Sequence, residues 1–530
     1  MSSNKSIDLS HHLNTLSRSR VPSPLKYVVD YMNQPGMISL AGGLPHPSAF
    51  PYNTVNLEVY SPDADIAPTS TKAKTTMDIS VTKDVSPDRP NNLSVALQYG
   101  ASTGSKSLSL FLHDFAKRVF RPAYSDFQVL LHFGNTDGWN KVVNLFCESG
   151  DYILIEEHTY PSSQALWAPM GCRGVPVSMD KDGIIPDALE CVLQEWEDSH
   201  PGTKRPHLLY IVPTGQNPTG STIPVERKKL IYDICVKYDV IICEDDPYYF
   251  LQMPNYTPAS DRCTHESVLP AQDESVIDEA LLDALVPTFV SLDYQGRVIR
   301  LETFSKTMGP GNRLGYFVCN PLFSERLVRA SEVTTQAPAG WSQAIVEEHL
   351  KAWKYEGYIR WLFGLRQLYT IRRDWLCDLI FSEFDVLPSP DGIPHDYIAL
   401  PKGHGKRMDA NPKSKYIFSF SAPKGGMFVW VQLNLSNHPK FEGIRASGEE
   451  YPEEKLETQI WMELIREKLL LTPGSFYSPV LGPNQRMKRE KGVAFFRLAF
   501  SFETREDMEK GVKRMARVFE RSWGFAELLN

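Results

Sequence analysis

The chain has 530 residues, of which 42% are hydrophobic, 23% charged and 11% aromatic, with a net charge of −8. That length exceeds one compact core of about 50–250 residues, so a large and a smaller domain are expected, and the composition excludes global disorder. The negative charge counts against nucleic acid or an anionic membrane surface as the main partner, while leaving room for small anionic substrates held by local arginines.

The first residues contain no apolar core of a secretory signal, and only a weak organelle-targeting reading of their Arg and Ser remains. No stretch of about 18 apolar residues is present, so no membrane span is expected. Eight cysteines are scattered without any C-x2-C spacing. That pattern points to a reducing compartment, to no metal site and, by default, to the cytoplasm.

In chain order, residues 1–40 read as an N-terminal arm with a short helix around Pro24–Met32. A large domain over 41–344 and a small one over 345–530 follow. Residues 57–92 are rich in Pro, Asp, Ser and Thr and read as an inserted surface loop, as does the acidic segment 255–290. From about residue 93, short apolar runs alternate with amphipathic stretches, the pattern of an α/β fold with a mostly parallel sheet. The runs are Val129–Phe133, Tyr152–Ile155, Leu208–Val212, Val240–Cys243, Val298–Leu301 and Leu314–Cys319. Each is nearly continuous, as expected of strands buried on both faces. Residues 341–385 are strongly helical; strand-like Met427–Val431 and a closing helix near 504–521 come later.

Ligands of open α/β sheets bind beyond the carboxyl ends of the strands, so the residues after each run carry the chemistry. Gly134-Asn135-Thr136-Asp137-Gly138 opens a helix and could seat a phosphate, although a plain helix start capped by Asp137 has the same signature. Tyr160 closes another strand, where it could stack on a planar ring or simply pack. Pro213-Thr214-Gly215-Gln216-Asn217-Pro218-Thr219-Gly220 is a rigid loop able to aim Asn217 at a ligand. Glu244-Asp245-Asp246 places three acids at the end of a buried strand, which is costly without a cation. A protonated pyridine nitrogen would be such a cation; a helix start at Pro247 also favours acids. Finally, Lys306 sits between a strand end and the turn Gly309-Pro310-Gly311-Asn312-Arg313. A confined lysine can lose its proton and attack a carbonyl, and Arg313 supplies fixed charge for a phosphate.

With these segments the chain resembles the class I/II aminotransferases of fold type I, which depend on pyridoxal 5′-phosphate (PLP). The likeness runs from Ser39-Leu40-Ala41-Gly42-Gly43-Leu44-Pro45 to Phe496-Arg497-Leu498-Ala499-Phe500. Within the family it is most similar to fungal aromatic-amino-acid and 2-aminoadipate aminotransferases. The resemblance implies a large sheet domain with helices on both faces and a smaller α/β domain. It also implies ping-pong transfer of an amino group to 2-oxoglutarate.

The resemblance further implies individual roles. Lys306 would bind the cofactor covalently and shuttle the substrate proton. Asp245, chosen over Asp246 because Tyr248 follows three residues later, would pair with the pyridine nitrogen. Tyr248 and Asn217 would hydrogen-bond the phenolic oxygen, and Tyr160 would stack on the ring. Asn135, Thr136, Thr303, Ser305 and Arg313 would hold the phosphate, joined by Tyr99 of a neighbouring subunit in a homodimer. Arg497 would grip the substrate α-carboxylate, and Gly42 and Gly43 would let backbone approach it. Lys26 could meet a distal carboxylate, with the charge of an arginine but without its fork. Two rivals stand beside this reading: another PLP reaction such as β-elimination, and a PLP-sensing regulator. The roughly 40 residues before Gly42 are too few for a regulator's DNA-binding module.

Overall fold

A computed structural model describes residues 4–22, 31, 34–41, 43–84, 92–262, 282–404, 416–482 and 485–525. Lys26, Gly42, nearly all of the helix expected at Pro24–Met32 and the centre of the 255–290 segment lie outside the described residues.

The expected surface loop at 57–92 is corrected by the structure. Strands β1 (Thr54–Tyr60) and β2 (Thr76–Thr82) pair antiparallel along their full length. Val55, Leu57 and Val59 alternate on one strand, and Met77, Ile79 and Val81 on the other, a period-two pattern diluted by the polar connection between them. Val81 is buried with Leu93 and Ala344, so the hairpin is packed down rather than solvated.

The main sheet contains β3 (Gln128–His132), β4 (Tyr152–Glu156), β5 (Arg173–Val177), β6 (Leu208–Ile211), β7 (Ile241–Asp245), β8 (Val298–Thr303) and β9 (Gly315–Cys319). Its spatial order is β3-β9-β8-β7-β6-β4-β5. All neighbours are parallel except β9, which runs antiparallel to both β8 and β3. Strands β6 to β9 are buried at every residue, which is why their sequences read as nearly continuous apolar runs, interrupted in β7 and β8 by charged residues. Strand β5 was not expected from sequence. It contains Gly174 and Pro176 and lies at the sheet edge, where a missing N–H is tolerated.

A second, entirely antiparallel sheet is formed by β10 (Asp385–Pro388), β11 (Tyr397–Leu400), β12 (Phe418–Phe420), β13 (Phe428–Asn434), β14 (Thr472–Pro473) and β15 (Val493–Ala499). A helix over Gly340–Glu383, broken at Lys354 (φ 57°), joins the two layers. Leu350, Trp353, Tyr358 and Leu362 from its first part lie in the core of the main sheet. Leu376, Cys377 and Ile380 from its last part lie in the core of the second sheet, with Met508, Met515 and Phe519 of the closing helix Arg505–Ser522. Among the described residues no helix is long and apolar enough to cross a membrane.

Candidate active site

Because β3, β4, β6, β7 and β8 run in the same direction, the segments that follow them emerge on one edge of the main sheet. There they meet β13 and β15 of the second sheet around a cavity of about 450 Å³. Asn135, Thr136, Tyr160, Asn217, Asp245, Tyr248, Thr303, Ser305, Lys306, Arg313 and Arg497 all line it. These residues span more than 360 positions of sequence, and only the sheet topology brings them together.

The Lys306 amine sits 5.8 Å above the centre of the Tyr248 ring. No carboxylate pairs with it among the described residues, and burial, reinforced by the Arg313 charge, depresses its pKa. Both effects favour the neutral, nucleophilic amine.

The three acids at the end of β7 divide by strand alternation. Glu244 and Asp246 point to the opposite side from Asp245, toward Arg300, which the β7–β8 register sets directly across from Glu244. Arg300 lies 3.2 Å from Glu244, 3.0 Å from Asp246 and 2.7 Å from Glu302, and stacks on Phe120 and Tyr249. Two of the three acids therefore have a protein cation, and Asp245 alone faces the cavity. Arg300→Met should destabilise the fold by about 3–5 kcal/mol in urea denaturation, because it strands a buried carboxylate cluster. An unchanged midpoint would refute that role.

Asp245 accepts hydrogen bonds from the Tyr210 hydroxyl (2.6 Å, Oδ2) and the Asn135 amide (2.6 Å, Oδ1). Burial pushes its carboxyl up to about 6, against the lowering effect of both donors. The Asn135 side-chain amide is divided between Asp245 and the Leu301 carbonyl (3.1 Å), so what the residue offers an anion at the helix start is its backbone N–H. As the first residue of the helix Asn135–Phe146, it starts directly beside the ends of β7 and β8, where the carboxylate is the stronger acceptor.

An anion cradle remains around that helix start. Gly134 precedes the helix at φ 93°, a backbone conformation that favours glycine, and the Arg313 guanidinium lies close over it. Arg313 donates to the carbonyls of Pro310 (2.9 Å) and Phe133 (3.2 Å) and to Ser305 Oγ (3.4 Å). Thr303 and Ser305 are hydrogen-bonded to each other at 2.9 Å. Free helix N–H groups, a guanidinium and these hydroxyls form a set suited to a phosphate.

Arg497 projects from β15. One of its Nη atoms donates to Asn217 Oδ1 at 2.8 Å, and the guanidinium lies on the rings of Phe428 (4.3 Å) and Tyr477 (5.2 Å). It has no carboxylate partner among the described residues, and its buried Nε has no hydrogen bond. An arginine held by aromatic faces with unused donors is prepared for an anionic ligand. The Asn217 loop packs tightly against the second sheet: a Cβ on Gly215 (φ 52°) would lie 2.2 Å from the Gly426 nitrogen.

Two expected residues do not line this chain's own cavity, Tyr99 being assigned to the site of a neighbouring subunit. Tyr99 is 70% exposed and sits on a separate surface with Val95 and Leu110, outside this chain's own cavity. Gly43 is exposed and is not part of the cavity lining. Sequence reasoning missed Tyr210, Phe428 and Tyr477. The only signal for Tyr210 was a hydroxyl inside an otherwise apolar strand end, which in a buried setting demands a partner.

The residues present fit PLP: a buried carboxylate for the ring nitrogen, an unpaired amine for the aldehyde and a cradle for the phosphate. The description "Aminotransferase class I and II" matches residues 91–393. An aromatic amino acid aminotransferase of Schizosaccharomyces pombe is 34% identical, over 97% of this chain and 98% of that one. An L-tyrosine:2-oxoglutarate aminotransferase of Tapinella panuoides is 35% identical, over 82% and 76%. The crystal structure of aminotransferase Aro8 from Candida albicans superposes with a TM-score of 0.83 at 35% identity, covering 98% of this chain and 99% of that one. Site geometry, sequence and fold agree, and the chain belongs to the class I and II aminotransferases, PLP-dependent transaminases of fold type I.

Proposed function

We propose that this enzyme moves the amino group of an aromatic amino acid to 2-oxoglutarate, with 2-aminoadipate as a second donor. The observation that carries the reading is one cavity holding the Lys306 amine and the Arg497 guanidinium, neither paired with a carboxylate among the described residues. The first suits a carbonyl and the second an α-carboxylate. The aromatic donor is supported by Tyr160, Tyr248 and Phe428 in the cavity wall and by the activities named for the fungal relatives.

Bound here, PLP supplies an electron sink conjugated to the substrate nitrogen. Lys306 would hold the cofactor and, as a neutral amine, is placed to carry the proton of the substrate Cα. Asp245 would pair with the pyridine nitrogen and favour its protonated form. Tyr248 and Asn217 would hydrogen-bond the phenolic oxygen, and Tyr160 would pack on the ring. Thr136, Thr303, Ser305, Arg313 and the backbone amides at the helix start hold the phosphate. Arg497 clamps the carboxylate of donor and acceptor alike, so one site serves both half-reactions.

The working unit is a homodimer in the cytoplasm. The exposed surface around Tyr99, with Val95 and Leu110, is apolar enough to be an interface, and from it Tyr99 reaches the phosphate of the neighbouring site. Gly43 and Lys26 are assigned to substrate binding from the sequence resemblance alone, Lys26 as a cation for a distal carboxylate.

The test is the visible absorbance of PLP-loaded protein, titrated separately with phenylalanine and 2-aminoadipate in the absence of any oxo acid. Phenylalanine should bleach the band of lysine-bound cofactor, and 2-oxoglutarate should restore it. A band that neither donor bleaches would overturn the substrate assignment; the absence of any band in saturating PLP would overturn the role of Lys306.

A further inference from the structure

Asp245 is held from two sides by residues far from it in sequence. The Tyr210 hydroxyl, on the adjacent strand β6, donates to Oδ2, and the Asn135 amide donates to Oδ1. Tyr210 is buried, and its ring packs against Trp139 at 4.5 Å. Trp139 is itself anchored by a hydrogen bond from its indole N–H to the Ser163 carbonyl (3.1 Å). The Tyr210 hydroxyl has no other protein partner among the described residues. Its single donor is aimed at one carboxylate.

We propose that Tyr210, assisted by Asn135, is a positioning residue that keeps Asp245 ionised and oriented toward the cofactor nitrogen. This rests on the PLP site proposed above. The surroundings otherwise oppose ionisation. Asp245 is buried and has Asp246 next to it, just past the end of β7. Buried Glu156 on β4 and Tyr248 in the following turn also feel its charge. Of the nearby cations, Arg300 favours the carboxylate but is directed to Glu244, Asp246 and Glu302. The two neutral donors are thus the chain's direct means of stabilising the anion before the cofactor arrives, and hydrogen bonds to a charged form lower a carboxyl pKa.

The sign follows from linkage. With both donors present, Asp245 titrates at about 6. Removing one donor raises that value, so the ionised form is lost at a higher pH. The bound state contains the carboxylate and a protonated ring nitrogen, so cofactor affinity falls on acidification wherever Asp245 is protonated in the empty site. Tyr210→Phe keeps the ring packing on Trp139 and removes only the hydroxyl.

The experiment is the dissociation constant of PLP between pH 5 and pH 8 for the wild type, Tyr210→Phe, Asp245→Asn and the double variant, each checked for folding by circular dichroism. Tyr210→Phe should shift the acid limb of affinity upward by about one pH unit, since a hydrogen bond to a charged group is worth about that much. Affinity should be about fivefold weaker at pH 6, about tenfold weaker at pH 5 and close to wild type at pH 8. In the Asp245→Asn background, Tyr210→Phe should add no pH-dependent loss. Lys306 is intact throughout, so its own pH dependence cancels in the comparison. An unshifted limb, an equal loss at every pH, or a full additional loss in the double variant would each overturn the proposal. Failure of the wild type itself to bind PLP would instead overturn the parent reading.

Discussion

Lys306→Ala is expected to lower turnover about ten-thousand-fold, the loss of a covalent anchor and of the proton carrier in one step. The protein should still take up PLP through the phosphate cradle and Asp245, without the visible band of the lysine-bound form. Lys306→Arg should be equally inactive, because a guanidinium keeps its proton and cannot attack a carbonyl. Stability should move the other way. The Lys306 amine is half-buried and has no carboxylate partner among the described residues, and its pKa is depressed. A desolvated, unpaired cation costs stability, so the alanine variant should melt no lower than the wild type. Turnover and thermal midpoint measured on one preparation check both signs. Near-normal turnover in Lys306→Ala would remove the basis for the mechanism.

Arg497→Ala should reduce kcat/KM by about a thousandfold for donors and 2-oxoglutarate alike, because two charge-assisted hydrogen bonds together contribute about 4 kcal/mol and each factor of ten is about 1.4 kcal/mol. Arg497→Lys should recover only part of this. Lysine keeps the charge, but it loses the two-pronged fit and the flat stacking on Phe428 and Tyr477. The loss should appear mainly as a raised KM in both half-reactions. PLP affinity should remain close to wild type, since the described contacts of Arg497 are with Asn217 and the two rings rather than with the phosphate cradle. A defect confined to one class of amino donor would mean that Arg497 reads the side chain instead of the shared carboxylate.

Much of this enzyme is local in its encoding. The apolar runs that became β3, β4 and β6 to β9 could be read one by one, because a strand covered on both faces needs nothing but apolar residues along its length. The loops after them carry their own chemistry in Gly, Pro and polar residues, so Lys306, Asn217, Tyr160, Arg313 and the acidic trio could be placed at strand ends without coordinates. The hairpin over 54–82 was lost because its two strands alternate apolar with polar residues and are separated by a polar connection.

What the sequence could not determine is the direction each side chain takes once distant segments meet. That Glu244 and Asp246 turn to Arg300 while Asp245 turns to the cavity depends on the β7–β8 register. That the Asn135 side chain turns to Asp245 depends on where a helix starts relative to two strand ends. Tyr210 and Tyr477 gain their relevance only through contacts across the sheets, with Asp245 and Arg497 respectively. The sequence by itself determined which reactive groups the chain carries and on which elements. The tertiary structure decided which of them face one another, because burial forces every polar group to find a partner, and that partner is almost never a neighbour in the chain.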